Sequence, residues 1–567
     1  MVKYIAKVKG PYTKLLNFFK DGGIDVYGDS HKSYFITINP VEQYLIATGR
    51  RLFKGMDDYN DVHRLQFDLE TTGLNPKGRL LSQEDIEDIK ERMGTGEDLT
   101  KLYEFDSTNE PIRYKDDKIF QVGIRDNRGY EEIIEVPQEG TKQELRDYEA
   151  YSILKFFDVI NTLKPDVIAG YNSENFDWHF IFTRCDILGL DIELIAKTLD
   201  RHGNSKIRRV DKSLKLGGER EYYKQTTMWG YNIVDVYHAV RRAKAINSNI
   251  KKAGLKYITK FSGLNKENRV YVEGNKIYET WNDKDSVYAY NNTDGTYYKI
   301  NEENPLKEGY KEAKGSDIVR QYLLDDLWET EQVDGVYNQA SFLLSKIIPT
   351  SYMRSTTMGT AGIWKLIMLA WSYENRLAIP DLKPRKTFTG GLSRLLEVGY
   401  AEDVAKLDFA ALYPNIEITH DVFPDTDITG VMKGMLIYIA STRDKFKNLM
   451  NHHKGELSKL KDFKKANGDK LPKEDFELLE SQIEKESSLA SMYDKKQLPI
   501  KILGNSFFGS LGAPNIFNWG DINCAEETTC RGRQYLRLMV KFFMDYDFRP
   551  LVGDSVTFNT PIYIKWK

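Results

Sequence analysis

Cysteine is scarce: the 567 residues hold three, Cys185, Cys524 and Cys530. None sits at zinc-ligand or disulfide spacing, so a disulfide scaffold and a cysteine-based zinc module are excluded, and a reducing cytoplasm is expected. Long hydrophobic runs are missing too. No stretch of about 18 apolar residues occurs, so no membrane span is expected. The opening MVKYIAKVKGPYTKLLNFF lacks an apolar block closed by a small-residue cleavage site, so it is not a secretory signal. There is no excess of one charge sign. A net charge of -3 argues against a uniformly basic nucleic-acid binder, although a local basic patch remains compatible with it. Internal repeats and low-complexity tracts are not found.

What is present is a soluble composition, 41% apolar and 29% charged, over a length that calls for several domains with sizeable cores. The first sixty residues alternate in short runs, which predicts a small β-rich domain. From RLQFDLETTG to about Leu343, strands and helices alternate as in an α/β layer. Within it, residues 268–314 are polar and rich in Tyr and Asn, which predicts a hairpin with loops. TSYMRSTTMGTAGIWKLIMLAWSYENR predicts a helix ending before Pro380, and KLDFAALYPNIEI a strand running into a turn. Two long helical stretches come next, separated by turn residues at KANGDKLP.

Those two stretches differ in charge. Residues 441–470 carry nine basic and four acidic side chains, residues 471–490 two basic and six acidic. Pairing as an antiparallel hairpin with solvated faces explains the contrast. A basic helix facing a polyphosphate explains it as well.

The carboxylates are more specific. FDLETTG places Asp68 and Glu70 two apart on a strand, hence on one face, while Leu65, Phe67 and Leu69 supply a buried face. Adjacent like charges are costly unless a cation neutralises them. About a hundred residues on, DVIAGYNSENFDWHF gives an apolar strand, a polar loop and Asp177. RQYLLDDLWET puts Tyr322 and Asp326 four apart on one helix face. Three carboxylate elements of this kind can converge on two divalent ions, Mg²⁺ above all, with Mn²⁺ as a substitute.

The order D-x-E, N-x-x-x-F-D, Y-x-x-x-D resembles the three exonuclease motifs of proofreading DNA polymerases. KLDFAALYPNIEI resembles motif A of family B polymerases, KILGNSFFGSLG resembles motif B, and FTGG (Phe388–Gly391) is similar to the linker motif between the two activities. The six motifs run in family order from about residue 65 to Asp554. The layout is most similar to the polymerases of T-even-like bacteriophages. The resemblance implies a multidomain α/β and α+β chain. Its parts would be a β-rich N-terminal domain over 1–62 with about 344–382 packing back on it, and an RNase H-like 3′-5′ exonuclease domain over 63–343. Palm segments would lie at 383–430 and 512–554, flanking helical-hairpin fingers over 431–511. It implies exonuclease metals on Asp68, Glu70, Asp177 and Asp326, with Tyr322 orienting the attacking water and Asn172 holding the strand. It implies a polymerase site in which Asp408 and Asp554 bind metal and the main chain of Leu412 and Tyr413 takes the dNTP triphosphate. The Tyr413 ring would exclude a 2′-OH, while Arg443, Lys447, Lys501, Asn505 and Phe508 line the nucleotide. The last three lie at helical spacing.

Several positions depart from the family pattern. Asn415 stands for Ser in motif A, Phe508 for Tyr in motif B, and Phe388 for Tyr in the linker. The largest departure comes after LVGD. Motif C continues with a second aspartate, whereas here Asp554 is followed by SVTFNTPIYIKWK. One reading is a shortened motif C hairpin. The other, preferred on sequence, is that Ser555–Ile564 resembles the first block of inteins. Ser555 would then be the splicing nucleophile, and residues 555–567 the N-terminal fragment of a split intein. That reading implies a separately encoded C-terminal part with the rest of the palm and the thumb. The further partners implied are primer-template and single-stranded DNA, dNTPs and a sliding clamp, in the cytoplasm of a bacterial host. The competing classes are a stand-alone 3′-5′ nuclease with relic polymerase elements and a catalytically dead DNA-binding module.

Overall fold

The computed structural model describes residues 39–554 and 561–566, apart from 79, 97–98, 100–102, 115, 200–205, 217–218, 247–248, 397–404, 410, 468–470 and 547. Two compact units form, one from Gly55–Gln339 and one from Met1–Lys54 with Ala340–Lys567.

The Gly55–Gln339 unit is built on five strands: β1 (Arg64–Thr71), β2 (Ile119–Asp126), β3 (Glu131–Glu135), β4 (Val167–Gly170) and β5 (Asn232–Asp235), in the order β3-β2-β1-β4-β5. Strand β1 is antiparallel to β2 and parallel to β4, which is parallel to β5. The apolar positions of β1 are buried as their alternation predicts: Leu65, Phe67 and Leu69 are all at most 3% exposed. Phe67 packs on Phe156 and Trp178, with ring centres about 5 Å apart. The polar face is covered too. Arg64 is buried against Asp334 at 2.6 Å, so its charge is paired where water is excluded.

Three helices of this unit supply side chains around the acidic face of β1: α1 (Asp177–Leu188), α2 (Leu255–Ser262) and α3 (Gly315–Tyr337). A Cβ on Gly123 of β2 would meet the Leu323 side chain at 2.8 Å, so the glycine is what lets α3 lie close on the sheet. The predicted hairpin over 268–314 is a three-stranded sheet (Tyr288–Tyr290 between Tyr297–Lys299 and Lys311–Ala313) preceded by a short helix, Ile277–Asn282.

In the other unit, the β-rich expectation for residues 1–38 lies outside the described residues. From Pro40 onward that expectation is corrected: Pro40–Thr48 is a helix. Asn39 caps it, accepting the Val41 N–H at 2.9 Å, and Pro40 sits at the first turn, where its missing N–H costs nothing. Segment 344–382 packs against this stretch. Thr350 donates to Glu42 at 2.8 Å, and Arg51 donates to the Ile347 carbonyl at 2.8 Å. The single predicted helix there is two, Tyr352–Thr357 and Thr360–Glu374, because Gly359 takes an extended conformation between them.

Strands β6 (Ser393–Leu395), β7 (Ala405–Asp408), β8 (Phe548–Asp554) and β9 (Pro561–Trp566) form a sheet in the order β6-β8-β9-β7. The predicted turn after Asp408 is corrected to a helix, α4 (Leu412–Thr419), entered through Ala411 at φ 48°. The two long helices are α5 (Val431–Asn467) and α6 (Lys473–Leu511), and α7 is Ile522–Asp545. Helices α5 and α6 pair, with His453 on Glu486 at 2.7 Å and stacked on Tyr493 at 5.5 Å. Among the described residues, no helix is long and apolar enough to cross a membrane.

Candidate active site

Strand β1 places Asp68 and Glu70 on one face, and α3 presents Asp326 to them. One oxygen from each of the three lies within 4.8 Å of the other two. Asp177 joins from the first position of α1. It accepts the Leu69 N–H at 3.1 Å, an N–H that also reaches the Asp68 carboxylate at 3.0 Å. Asp68 is half-buried, and Glu70, Asp177 and Asp326 are at most 8% exposed. Burial pushes Asp68 and Glu70 well above the usual carboxylate range, and neighbouring carboxylates add to it. Asp177 rises to about 7, again chiefly through burial. Four acids are therefore held together at a cost in charge repulsion and desolvation.

Two cations offset part of that charge. Arg269 is ion-paired with Asp326 and, at 3.1 Å, with Glu329. Lys256 of α2 donates to the Tyr322 hydroxyl at 2.6 Å and lies 4.3 Å from the ring centre. Tyr322 is one turn before Asp326 on α3 and is buried. Oxygen ligands from three rigid elements, with too few cationic partners, fit a hard divalent ion.

Asn172 stands after β4 at φ 62° and is half-buried. Its conformation is imposed by Asp235, which ends β5 and accepts the backbone N–H groups of Asn172 (2.8 Å), Glu174 (3.1 Å) and Tyr237 (3.0 Å). Sequence reasoning missed Asp235, Lys256 and Arg269. An aspartate closing the apolar strand NIVD was the legible signal for Asp235. The two cations had none, because they sit on a short helix and a loop far from the acids in sequence. Asp325 is the structural half of its Asp-Asp pair: fully buried, it accepts from Val270 N–H at 2.9 Å and Lys266 at 2.7 Å.

A second constellation lies in the other unit. Asp408 pairs with Pro561, Ile562 with Gly553, and Asp554 with Ser393, so Asp408 and Asp554 fall at the same end of the sheet with β9 between their strands. The tail is thus paired inside this chain, as a shortened hairpin requires, with Ile562, Tyr563 and Ile564 in strand as their alternation predicts. Ser555 lies outside the described residues. Leu412 and Tyr413 open α4, where amide groups and the helix dipole favour an anion. The Tyr413 ring is buried against Phe508 at 4.5 Å, and Phe508 also meets Phe388 at 6.3 Å. Lys501 on α6 is held below its ordinary pKa by burial and by Arg443 of α5, with Lys447 adding to it. Three cations gathered here, with Arg443 and Lys501 half-buried, favour an anion among them. Asn505 lies one turn beyond Lys501 on the same helix.

Comparison with known proteins gives two matches to one family. The model described as DNA polymerase family B, exonuclease domain, matches residues 103–258, and the model described as DNA polymerase family B matches residues 363–550. The chain is 24% identical over 440 residues to the DNA polymerase of Thermococcus sp. (strain 9oN-7), covering 72% of this chain and 46% of that protein. It is 24% identical over 488 residues to the DNA polymerase of Pyrococcus glycovorans, covering 81% and 53%. The fold is similar to the family B DNA polymerase of Pyrobaculum calidifontis, with a TM-score of 0.56 at 18% identity, over 94% of this chain and 60% of that one. The chain spans about half the length of the curated relatives it matches. These relatives are archaeal; they carry the family and not the finer likeness to T-even-like phage enzymes. The two family models together account for more than half of the residues, and the chain belongs to the family B DNA polymerases.

Proposed function

We propose that the Gly55–Gln339 unit is a 3′-5′ exonuclease that hydrolyses the terminal phosphodiester of single-stranded DNA. The observation that carries this reading is the convergence of Asp68, Glu70 and Asp326 within 4.8 Å, with Asp177 beside them on the Leu69 N–H that Asp68 also meets. These four residues would hold divalent cations, Mg²⁺ first. Such ions, when bound, activate water and stabilise the leaving 3′ oxygen. The chain's own residues do the rest. Tyr322 presents its hydroxyl to the attacking water, Asn172 orients the strand from the Asp235-fixed loop, and Arg269 holds Asp326 in place. Release of nucleotides from a 3′-labelled oligonucleotide, lost on Asp68→Ala with Glu70→Ala, is the test.

For the other unit, we propose template-directed dNTP addition at the site opened by Asp408 and Asp554. The clustered Arg443, Lys447 and Lys501 and the N-terminus of α4 support a triphosphate subsite, in which cationic donors stabilise the charge of phosphoryl transfer. Tyr413, backed by Phe508, supports exclusion of a 2′-OH. A sliding clamp and the T-even-like placement belong to the same proposal, carried by the motif likeness alone.

The tail has two readings. Splicing at Ser555 to a separately encoded C-terminal part rests on the likeness of Ser555–Ile564 to an intein block. A shortened motif C hairpin rests on the pairing of β9 with β7 and β8. Mass spectrometry after mixing with a C-terminal part distinguishes them: splicing removes residues 555–567, and a hairpin keeps them.

A further inference from the structure

The contacts of Lys256 say more about Tyr322 than the family motifs do. Lys256 lies in the first turn of α2, one residue into the helix from Leu255, and α2 is not among the carboxylate elements. An ammonium has only hydrogens to give, so in the 2.6 Å contact Lys256 donates and the Tyr322 oxygen accepts. The phenol keeps its own hydrogen, which cannot point at the ammonium. Asp326 lies one turn further along α3 from Tyr322, and it converges with Glu70 and Asp68 of β1. Arg269 lies over the same ring at 5.4 Å, but its guanidinium is engaged with Asp326 and Glu329.

We propose that Lys256 is a positioning residue of the nuclease site: by donating to the Tyr322 oxygen, it turns the Tyr322 hydrogen toward the carboxylates and the water held among them. This rests on the nuclease reading of that site. Tyr322 is thereby a fixed hydrogen-bond donor and not a base, and no proton leaves it during hydrolysis. Lys256 as a simple counter-charge for the acids is the competing role. A counter-charge would change stability and Mg²⁺ requirement, and its loss would multiply with any loss at Tyr322. A positioning residue acts through Tyr322, so removing either removes the same interaction.

The experiment is a double-mutant cycle on the full chain, with a single-stranded oligonucleotide and Mg²⁺. Lys256→Met is expected to lower kcat by about tenfold or more, the order of loss when one charge-assisted hydrogen bond is removed, and to leave KM within about twofold. Tyr322→Phe is expected to match it, the double variant to be no slower than the slower single, and Lys256→Arg to recover part of the rate. Thermal unfolding reports whether each variant is folded. If Lys256→Met is not, Lys256→Gln enters the same cycle. Losses that multiply, or a kcat within twofold of the parent, overturn the proposal. Asp68→Ala with Glu70→Ala runs alongside. Full activity in that variant would sink the nuclease reading itself, whereas lost activity there with no effect at Lys256 sinks only the role given to Lys256.

Discussion

The Leu69 N–H donates to the Asp177 carboxylate at 3.1 Å, so the residue between Asp68 and Glu70 ties strand β1 to helix α1. One backbone hydrogen bond thereby sets the distance between two of the carboxylate elements. It also explains how Asp177, 1% exposed, is tolerated beside Asp68.

That tolerance has a pH signature. Asp177 rises to about 7 in the folded protein from an ordinary value of 3.8. The folded state therefore binds more protons than the unfolded one between those values, and its metal-free stability falls as pH rises toward 7. Asp177→Asn removes the penalty. In EDTA, the variant is expected to be more stable than the parent at pH 8 by on the order of 1 kcal/mol or more, and to lose that advantage at pH 4. Denaturant melts at the two pH values check this, and an equal difference at both would contradict it.

Asp235 is a structural prediction. Asp235→Ala strips three backbone N–H groups of their acceptor, two in the loop after β4 and one just after β5, which costs about 3 kcal/mol in all. Exonuclease activity should fall with it, because Asn172 loses its φ 62° conformation. Urea unfolding and a nuclease assay measure the two effects, and a stable, active variant would refute the role given to Asp235.

The cation cluster on α5 and α6 should be a triphosphate site. Lys501→Met and Arg443→Met are each expected to weaken dNTP binding about tenfold, a loss of about 1.4 kcal/mol. Binding in the parent should weaken as salt rises, because the contacts are charged. Titration calorimetry with a dNTP, with and without added salt, is the measurement. Unchanged affinity in both variants would remove these residues from the site.

The carboxylate elements were legible because each rule that reveals them is local. Period-two alternation put Asp68 and Glu70 on one face, and a spacing of four put Tyr322 and Asp326 on one helix face. The charge contrast between α5 and α6 was legible for the same reason. What was not legible depends on long-range packing. Lys256 and Arg269 reach the acids only because α2 and the loop after it fold onto α3. Asp325 and Asp326 are neighbours of equal chemistry, and only their packing separates their roles: Asp325 is taken up by Val270 N–H and Lys266, and Asp326 meets Asp68 and Glu70. The helix α4 was hidden by Tyr413–Pro414, which reads as a turn until Ala411 is seen to reverse the chain and leave proline in the first helical turn, where it is tolerated. The helix at Pro40 was missed for a similar reason, since the apolar alternation before it was extended across its cap.

The most direct test of the account is nuclease activity of the chain with the shared acids removed. With Mg²⁺ and a 3′-labelled single strand, the parent is expected to release mononucleotides, and Asp68→Ala with Glu70→Ala to lower the rate by more than about a hundredfold while the protein stays folded. A folded double variant that still degrades the strand at the parental rate would contradict it.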